Sequence, residues 1–219
     1  MTIEREKETP KYEIHTITSE MEIVNCPTFE VSHFLWNSRQ QPKTVGRMGY
    51  LEGKGIFVQL TCYESDPKRT FFKHSDPVYQ DSAMEAFFAF PEQQSQNGYD
   101  LTNNEVLYFN FEVNANGAML AQYGVERENR TFLTDEEIAL TEVKTTVEED
   151  CWSVQLLVPN QLLKQIADID HMLPGAICYC NFYKISESQE IEHYGAFSNI
   201  LSETPNFHLP QYFAKVVRR

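Results

Sequence analysis

Positive charge is in short supply in this chain: 18 Lys and Arg stand against 32 Asp and Glu, a formal net charge of −14. Nucleic acid and anionic membrane surfaces both demand clustered cations, so neither is an expected partner. A neutral ligand, or a cation, is compatible with that balance. Long apolar runs are missing too. No stretch approaches the ~18 residues of a membrane-spanning helix. The opening MTIEREKETPKYEIHTI is charged and has no apolar core, unlike a secretory signal. The expected location is the cytoplasm. Cysteine is sparse, odd in number and scattered; Cys26, Cys62, Cys151, Cys178 and Cys180 suit reduced core thiols better than a disulfide framework. No second Cys or His pair has the spacing to join Cys178-x-Cys180 in a zinc site. Repeats, low-complexity tracts and a strand–helix–strand rhythm are also lacking, which argues against a parallel α/β sheet.

Aromatic residues are abundant: 15 Phe and 11 Tyr, with 2 Trp, fall in short alternating runs. The chain is long enough for one well-buried domain spanning 1–219, with 1–11 as a charged, frayed lead-in. Period-two alternation predicts about ten short strands and one short helix, hence an all-β, antiparallel two-sheet sandwich. Tyr12–Ile17 and Met21–Val24 read as short edge strands. Thr44–Glu52 and Gly55–Glu64 read as a hairpin about Gly53-Lys54, with Thr61 and Tyr63 on the non-core surface. Asn160 is positioned to cap a helix running through Asp168, with Leu162, Leu163 and Ile166 as its buried stripe.

The stretch Asp76–Phe90, DPVYQDSAMEAFFAF, is the most informative. Met84, Ala86, Phe88 and Phe90 share one face; Ala83, Glu85, Phe87 and Ala89 share the other. A carboxylate inside such a strand is costly to bury without partners, so Glu85 marks a wet face or a site. Glu105–Asn114 is the clearest strand, with Leu107, Phe109, Phe111 and Val113 opposite Val106, Tyr108, Asn110 and Glu112. Asn116-Gly117 is a strong hairpin signal after it. Ala176–Lys184 adds Tyr179, Asn181 and Tyr183 on a second polar-aromatic face. If these strands are neighbours, their outer faces form one cleft with flat rings and hydroxyl-binding groups, suited to a saccharide or small polyol. The acidic turn residues Glu64, Asp66, Asp76, Asp81 and Asp100 are candidates for structural calcium, although no EF-hand loop is present.

Taken in order, Glu64-x-Asp66-Pro67, Tyr79-x-Asp81-Ser82-x-x-Glu85-x-Phe87-Phe88 and Tyr108-x-Asn110-Phe111-Glu112-x-Asn114-x-x-Gly117 form a recognisable series. It continues with Trp152-Ser153-Val154, Asn181-Phe182-Tyr183-Lys184, His193-Tyr194 and Pro205-x-Phe207-His208-x-Pro210-x-x-Phe213. The set resembles the family 9 carbohydrate-binding modules, and more narrowly their free-standing bacterial relatives, over roughly Val45 to Val217. The resemblance implies a β-sandwich related to the sugar- and haem-binding DOMON domains. It implies non-catalytic sugar binding, with no cofactor required beyond calcium supporting nearby loops. In members attached to xylanases, two tryptophans clamp the sugar. Here the first clamp position falls at Val78 or Tyr79 and the second near Phe207, so neither is Trp. The sugar-binding carboxylate corresponds to Glu85, and a polar residue on the next strand to Asn110 or Glu112.

Two other functions are open at this point. Glu85 and Glu112 are an acid/base pair on paper, which glycoside hydrolysis requires. The aromatic loops Phe71–Tyr79 and Phe197–Phe213 would equally suit a protein-interaction module with no small ligand.

Overall fold

The computed structural model describes residues 10–90, 101 and 106–219. Strands β1 (Lys11–Ile17), β2 (Thr28–Glu30), β3 (His33–Phe34), β4 (Lys43–Leu51), β5 (Gly55–Tyr63), β6 (Ala83–Ala89) and β7 (Tyr108–Asn114) make the first half. The second half holds β8 (Met119–Gly124), β9 (Thr131–Phe132), β10 (Lys144–Val147), β11 (Trp152–Pro159), β12 (Ile177–Ser186), β13 (His193–Ala196) and β14 (Ala214–Arg218). Two short helices, α1 (Asp135–Ala139) and α2 (Asn160–Ala167), complete the regular structure, with 3-10 turns between.

All fourteen strands belong to one curled, mixed sheet, in the path β10-β11-β5-β4-β1-β14-β12-β6-β7-β8-β9 with β2, β3 and β13 attached at its side. The fold is therefore all-β, but the expected pair of separate antiparallel sheets needs correcting. The cause is β1. Its first residues, Lys11–Ile14, run parallel to β14, and its last, His15–Ile17, run parallel to β4. One strand changes partner midway and joins the two halves, so it lies inside the sheet rather than at an edge. Every other pairing among the described residues is antiparallel.

The main core fills the curl. Met84, Ala86 and Phe88 on β6, Phe109, Phe111 and Val113 on β7, and Phe182 on β12 meet Val58 and Leu60 on β5 and Trp152 and Val154 on β11. Alternation assigned the β6 and β7 inner faces correctly. A second apolar layer covers the other face of β6, β7 and β12, where Phe87, Tyr108 and Tyr183 pack under Tyr194, Phe207 and Phe213. Both faces of β6 and β7 are thus buried along their whole length.

Four further expectations change. Met21–Val24 lies in a 3-10 turn, Glu20–Asn25, with only Ile23 buried, because Met21 and Val24 face solvent. A second helix, α1, forms in addition to the one expected. Thr134 and Glu137 cap it reciprocally, a signal present in the sequence as Thr-x-x-Glu. Thr61 and Tyr63 sit on β5, in the opposite half of the sheet, and take no part in a cleft with β6 and β7. Asn160 opens α2, but its side chain bonds the Tyr50 hydroxyl instead of capping the helix.

Candidate functional site

On the outer face of β6, β7 and β12 lies a cavity of about 360 Å³, lined by Glu85, Glu112, Glu187, Arg127 and His208 together with Trp36, Tyr79, Tyr194 and Phe207. Its floor follows from strand register. Glu85 on β6 stands opposite Glu112 on β7 and opposite Tyr183 on β12. These side chains would be solvated on a bare sheet; Tyr194 on β13 and the loops carrying Trp36 and residues 205–208 close over them instead.

The electrostatics reflect that enclosure. Glu85 is 2% exposed. Burial pushes its pKa well above the ordinary carboxylate range, Glu112 and Glu187 push in the same direction, and Lys184 opposes them. Glu112 is pushed up to about 7, by burial first, against the Asn110 amide and the Arg130 charge. Glu187 is also raised by burial, with Arg127 opposing. His208 is lowered to about 3 by burial and by Arg130 and Arg127, so its imidazole is neutral.

Each lining group is held from behind. The Arg130 guanidinium covers the Tyr108 ring at 4.0 Å and donates to Asn110 Oδ1 at 2.9 Å and to the Tyr108 carbonyl at 2.8 Å. Asn110 in turn donates through Nδ2 to Glu112 Oε1 at 3.0 Å. This relay orients Glu112 and leaves its Oε2 buried without a hydrogen-bond partner. The Tyr108 hydroxyl lies 3.1 Å from His208 Nδ1. Phe207 stacks on Tyr183 with ring centroids 3.9 Å apart and planes 8° apart, and the Tyr183 hydroxyl donates to the Phe207 carbonyl. Trp36 follows β3 in a turn where it and Asn37 both have positive φ, 50° and 59°. A bulky residue adopts that backbone only when its surroundings hold it there. Here the indole Nε1 donates to the Ser202 carbonyl at 2.8 Å, and the ring meets Tyr194 edge-on and Phe207 at a tilt.

The residues picked from sequence therefore fall into three groups. Tyr79, Glu85, Glu112 and Phe207 line the cavity. Tyr108, Asn110 and Tyr183 stand directly behind it as supports. Asn181 belongs to neither group. Its amide donates to the Ser198 carbonyl and its Oδ1 accepts from the Ser198 N–H, both at 2.9 Å, which consumes it in pinning a loop. Glu187, Arg127 and Tyr194 were not picked, and Trp36 reads from sequence first as a plug at the core rim and only second as a ligand-stacking ring; their part depends on tertiary placement that no local pattern encodes. Phe207 is only 6% exposed, because it stacks on Tyr183. The half-buried Trp36 is the more accessible flat ring.

Of the carboxylates named for calcium, Glu64, Asp66, Asp76 and Asp81 fall among the described residues and do not converge there. Among the described residues no group of three or more His, Cys, Asp or Glu side chains is arranged to hold a metal ion. Protein donors already engage the oxygens of three of them, Asp81, Glu64 and Asp76. Asp81 accepts from the Thr70 and Phe71 N–H groups, the Thr70 hydroxyl and the Asn114 amide. Glu64 accepts from the Ser82 hydroxyl and the Trp152 indole, with the Lys184 ammonium 3.6 Å away. Asp76 Oδ2 accepts from the Lys73 N–H, and Asp66 occupies an exposed turn at φ 51°. Asp100 lies outside the described residues.

An all-β domain whose sheet carries a recessed patch of carboxylates and aromatic rings has the form of a ligand-binding module. The sequence makes the assignment specific: the family model for carbohydrate-binding family 9 matches residues 16–217, and the chain belongs to that family. Solved structures share the fold. A candidate carbohydrate-binding protein from Bacteroides uniformis superposes with a TM-score of 0.76 at 19% identity, over 96% of this chain and 99% of that one. A family 9 module from Caldicellulosiruptor kristjanssonii in complex with glucose gives 0.63 at 12% identity, over 95% of each chain. The module from the same organism with cellotriose gives 0.59 at 11%, over 95% of this chain and 93% of that one. No curated protein is significantly similar to the chain.

Proposed function

We propose that this chain is a non-catalytic saccharide-binding module, and that the cavity over Glu85 and Glu112 is where the sugar binds. The observation that carries this reading is the union of buried carboxylates and aromatic rings in one recess. A sugar offers apolar ring faces and hydroxyl edges; Trp36 and Tyr79 suit the former, and Glu85, Glu112 and neutral His208 suit the latter. Family membership and the saccharides bound by the Caldicellulosiruptor modules support it.

The cavity is at the small end of ligand sites, which suits one or two sugar rings more than a long polymer segment. A disaccharide of about 23 non-hydrogen atoms, at ~0.3 kcal/mol per atom, would bind with about 7 kcal/mol, a Kd on the order of 10 μM. A hydrolytic reading is less well supported. Glycosidases place their two carboxyl groups across the scissile bond, whereas Glu85 and Glu112 stand side by side on one wall. The test is a glycan array followed by calorimetry on wild type and Glu85→Ala. Loss of binding in a folded variant is expected; wild-type affinity in that variant would move the site elsewhere.

A further inference from the structure

The carboxylate pair has more acceptor capacity than a neutral sugar can fill. Glu85 and Glu112 are register partners on two hydrogen-bonded strands, both at least nine-tenths buried. Ionised, they offer acceptors only, and two such groups side by side repel, so the pair holds on to protons until a cation lies between them. The nearby cations direct their hydrogen bonds to other groups, although Arg127 shares the cavity lining. Arg130 donates to Asn110, Tyr108 and Glu126, and Arg127 to the Pro205 carbonyl. Lys184, next to Glu85 in space, turns into the opposite layer, where it meets Ser82, His193 and Glu64. Glu112 Oε2, 5% exposed as a residue and on the cavity wall, has no hydrogen-bond partner among the described residues.

Building on the saccharide reading, we propose that the sugar unit taken here carries a protonated primary amine, an amino sugar, with its ammonium between Glu85 and Glu112. A hydroxyl donates one hydrogen and carries no charge, so it leaves one carboxylate unmatched. An ammonium donates three and supplies the missing charge, which matters most where carboxylates are desolvated. The rings of Trp36, Tyr79 and Tyr194 on the same cavity add faces that attract a cation and repel none. Acetylating the amine removes both the charge and two of the donors, so the N-acetyl sugar gains nothing from the pair.

The test is calorimetry at one buffered pH near neutrality with three β-1,4-linked disaccharides differing only at C2: cellobiose, fully deacetylated chitobiose, and N,N′-diacetylchitobiose. Deacetylated chitobiose is expected to bind at least tenfold tighter than the other two, and Glu112→Gln to remove most of that preference. The three wild-type titrations decide the matter even if the variant fails to fold. Equal or tighter binding of cellobiose overturns the amino-sugar assignment and leaves the saccharide reading in place. No binding of any of the three, nor of any sugar on a broad array, overturns both.

Discussion

Glu85 and Glu112 stand directly opposite each other on adjacent strands of a buried sheet face. Like charges in that relation are destabilising, and burial adds to the cost. The same face accommodates Ala83, Phe87 and Tyr108 without difficulty, so a pair of apolar residues would fit the sheet at least as well. The pair therefore does not serve the stability of the sheet.

That cost has a pH signature. Glu112 is raised from 4.5 to about 7 in the folded chain, mainly by burial. Between those values the folded state holds a proton that the unfolded state has released, so this group's contribution is complete below pH 4.5 and is lost as pH rises through 7. Buried His193 works in the opposite sense: its pKa is lowered to about 3 by burial and Lys184, so its contribution is complete above 6.5 and falls away in acid. The difference between Glu112→Gln and wild type isolates the first effect. The variant should melt higher at pH 8 by about 3–6 °C, for roughly 1–2 kcal/mol, with the gap closing toward pH 4.5. Thermal melts across that range measure it, and a gap that widens in acid would contradict the assignment.

Trp36 is a half-buried ring on the cavity wall, so Trp36→Ala should weaken saccharide binding about tenfold, or ~1.4 kcal/mol. Because Trp36→Ala also removes contacts to Tyr194 and Phe207, Trp36→Tyr serves as the control and should recover part of the affinity. Calorimetry on both variants, with melts to confirm folding, checks this.

Asn110 connects Arg130 to Glu112. Asn110→Ala should leave two buried charged groups each short of a partner, costing about 1–3 kcal/mol of stability. Glu112 should then titrate at higher pH, because the amide that favours its ionised form is gone. Denaturant melts give the first quantity and side-chain NMR titration the second.

The buried Lys184 ammonium donates to Ser82 Oγ at 2.6 Å and lies 2.8 Å from His193 Nε2, with Glu64 as its counter-charge. Burial alone would raise Glu64, yet Lys184, Ser82 and Trp152 together hold it below the ordinary carboxylate range. Glu64→Gln should cost on the order of 3–5 kcal/mol by leaving the ammonium uncompensated. Lys184→Met combined with Glu64→Gln should recover much of that loss, a coupling that a double-mutant cycle would reveal. Strict additivity of the two substitutions would show that the pair acts independently.

Much of the architecture could be read from the chain. Period-two alternation sorted β6 and β7 into core and outer faces, because successive side chains on a strand point opposite ways wherever the strand sits. It also singled out Glu85 as the residue that did not match its neighbours. The same rule could not say which strands were adjacent. It placed Thr61 and Tyr63 with Glu112 although β5 and β7 are in different halves of the sheet. Nor could it distinguish a carboxylate free to bind calcium from one, like Asp81, already engaged by a loop ten residues earlier.

What the sequence by itself determined, then, was local: an all-β chain, the inward residues of its strands, and one carboxylate out of place in an apolar run. Tertiary structure alone decided that β1 would bridge the two halves, that Glu112 would face Glu85, and that Trp36, Tyr194 and Phe207 would roof the pair. Side-chain alternation is set by neighbouring peptide geometry, whereas register and loop closure arise from contacts between residues more than a hundred positions apart, such as Trp36 with Ser202 at a sequence separation of 166.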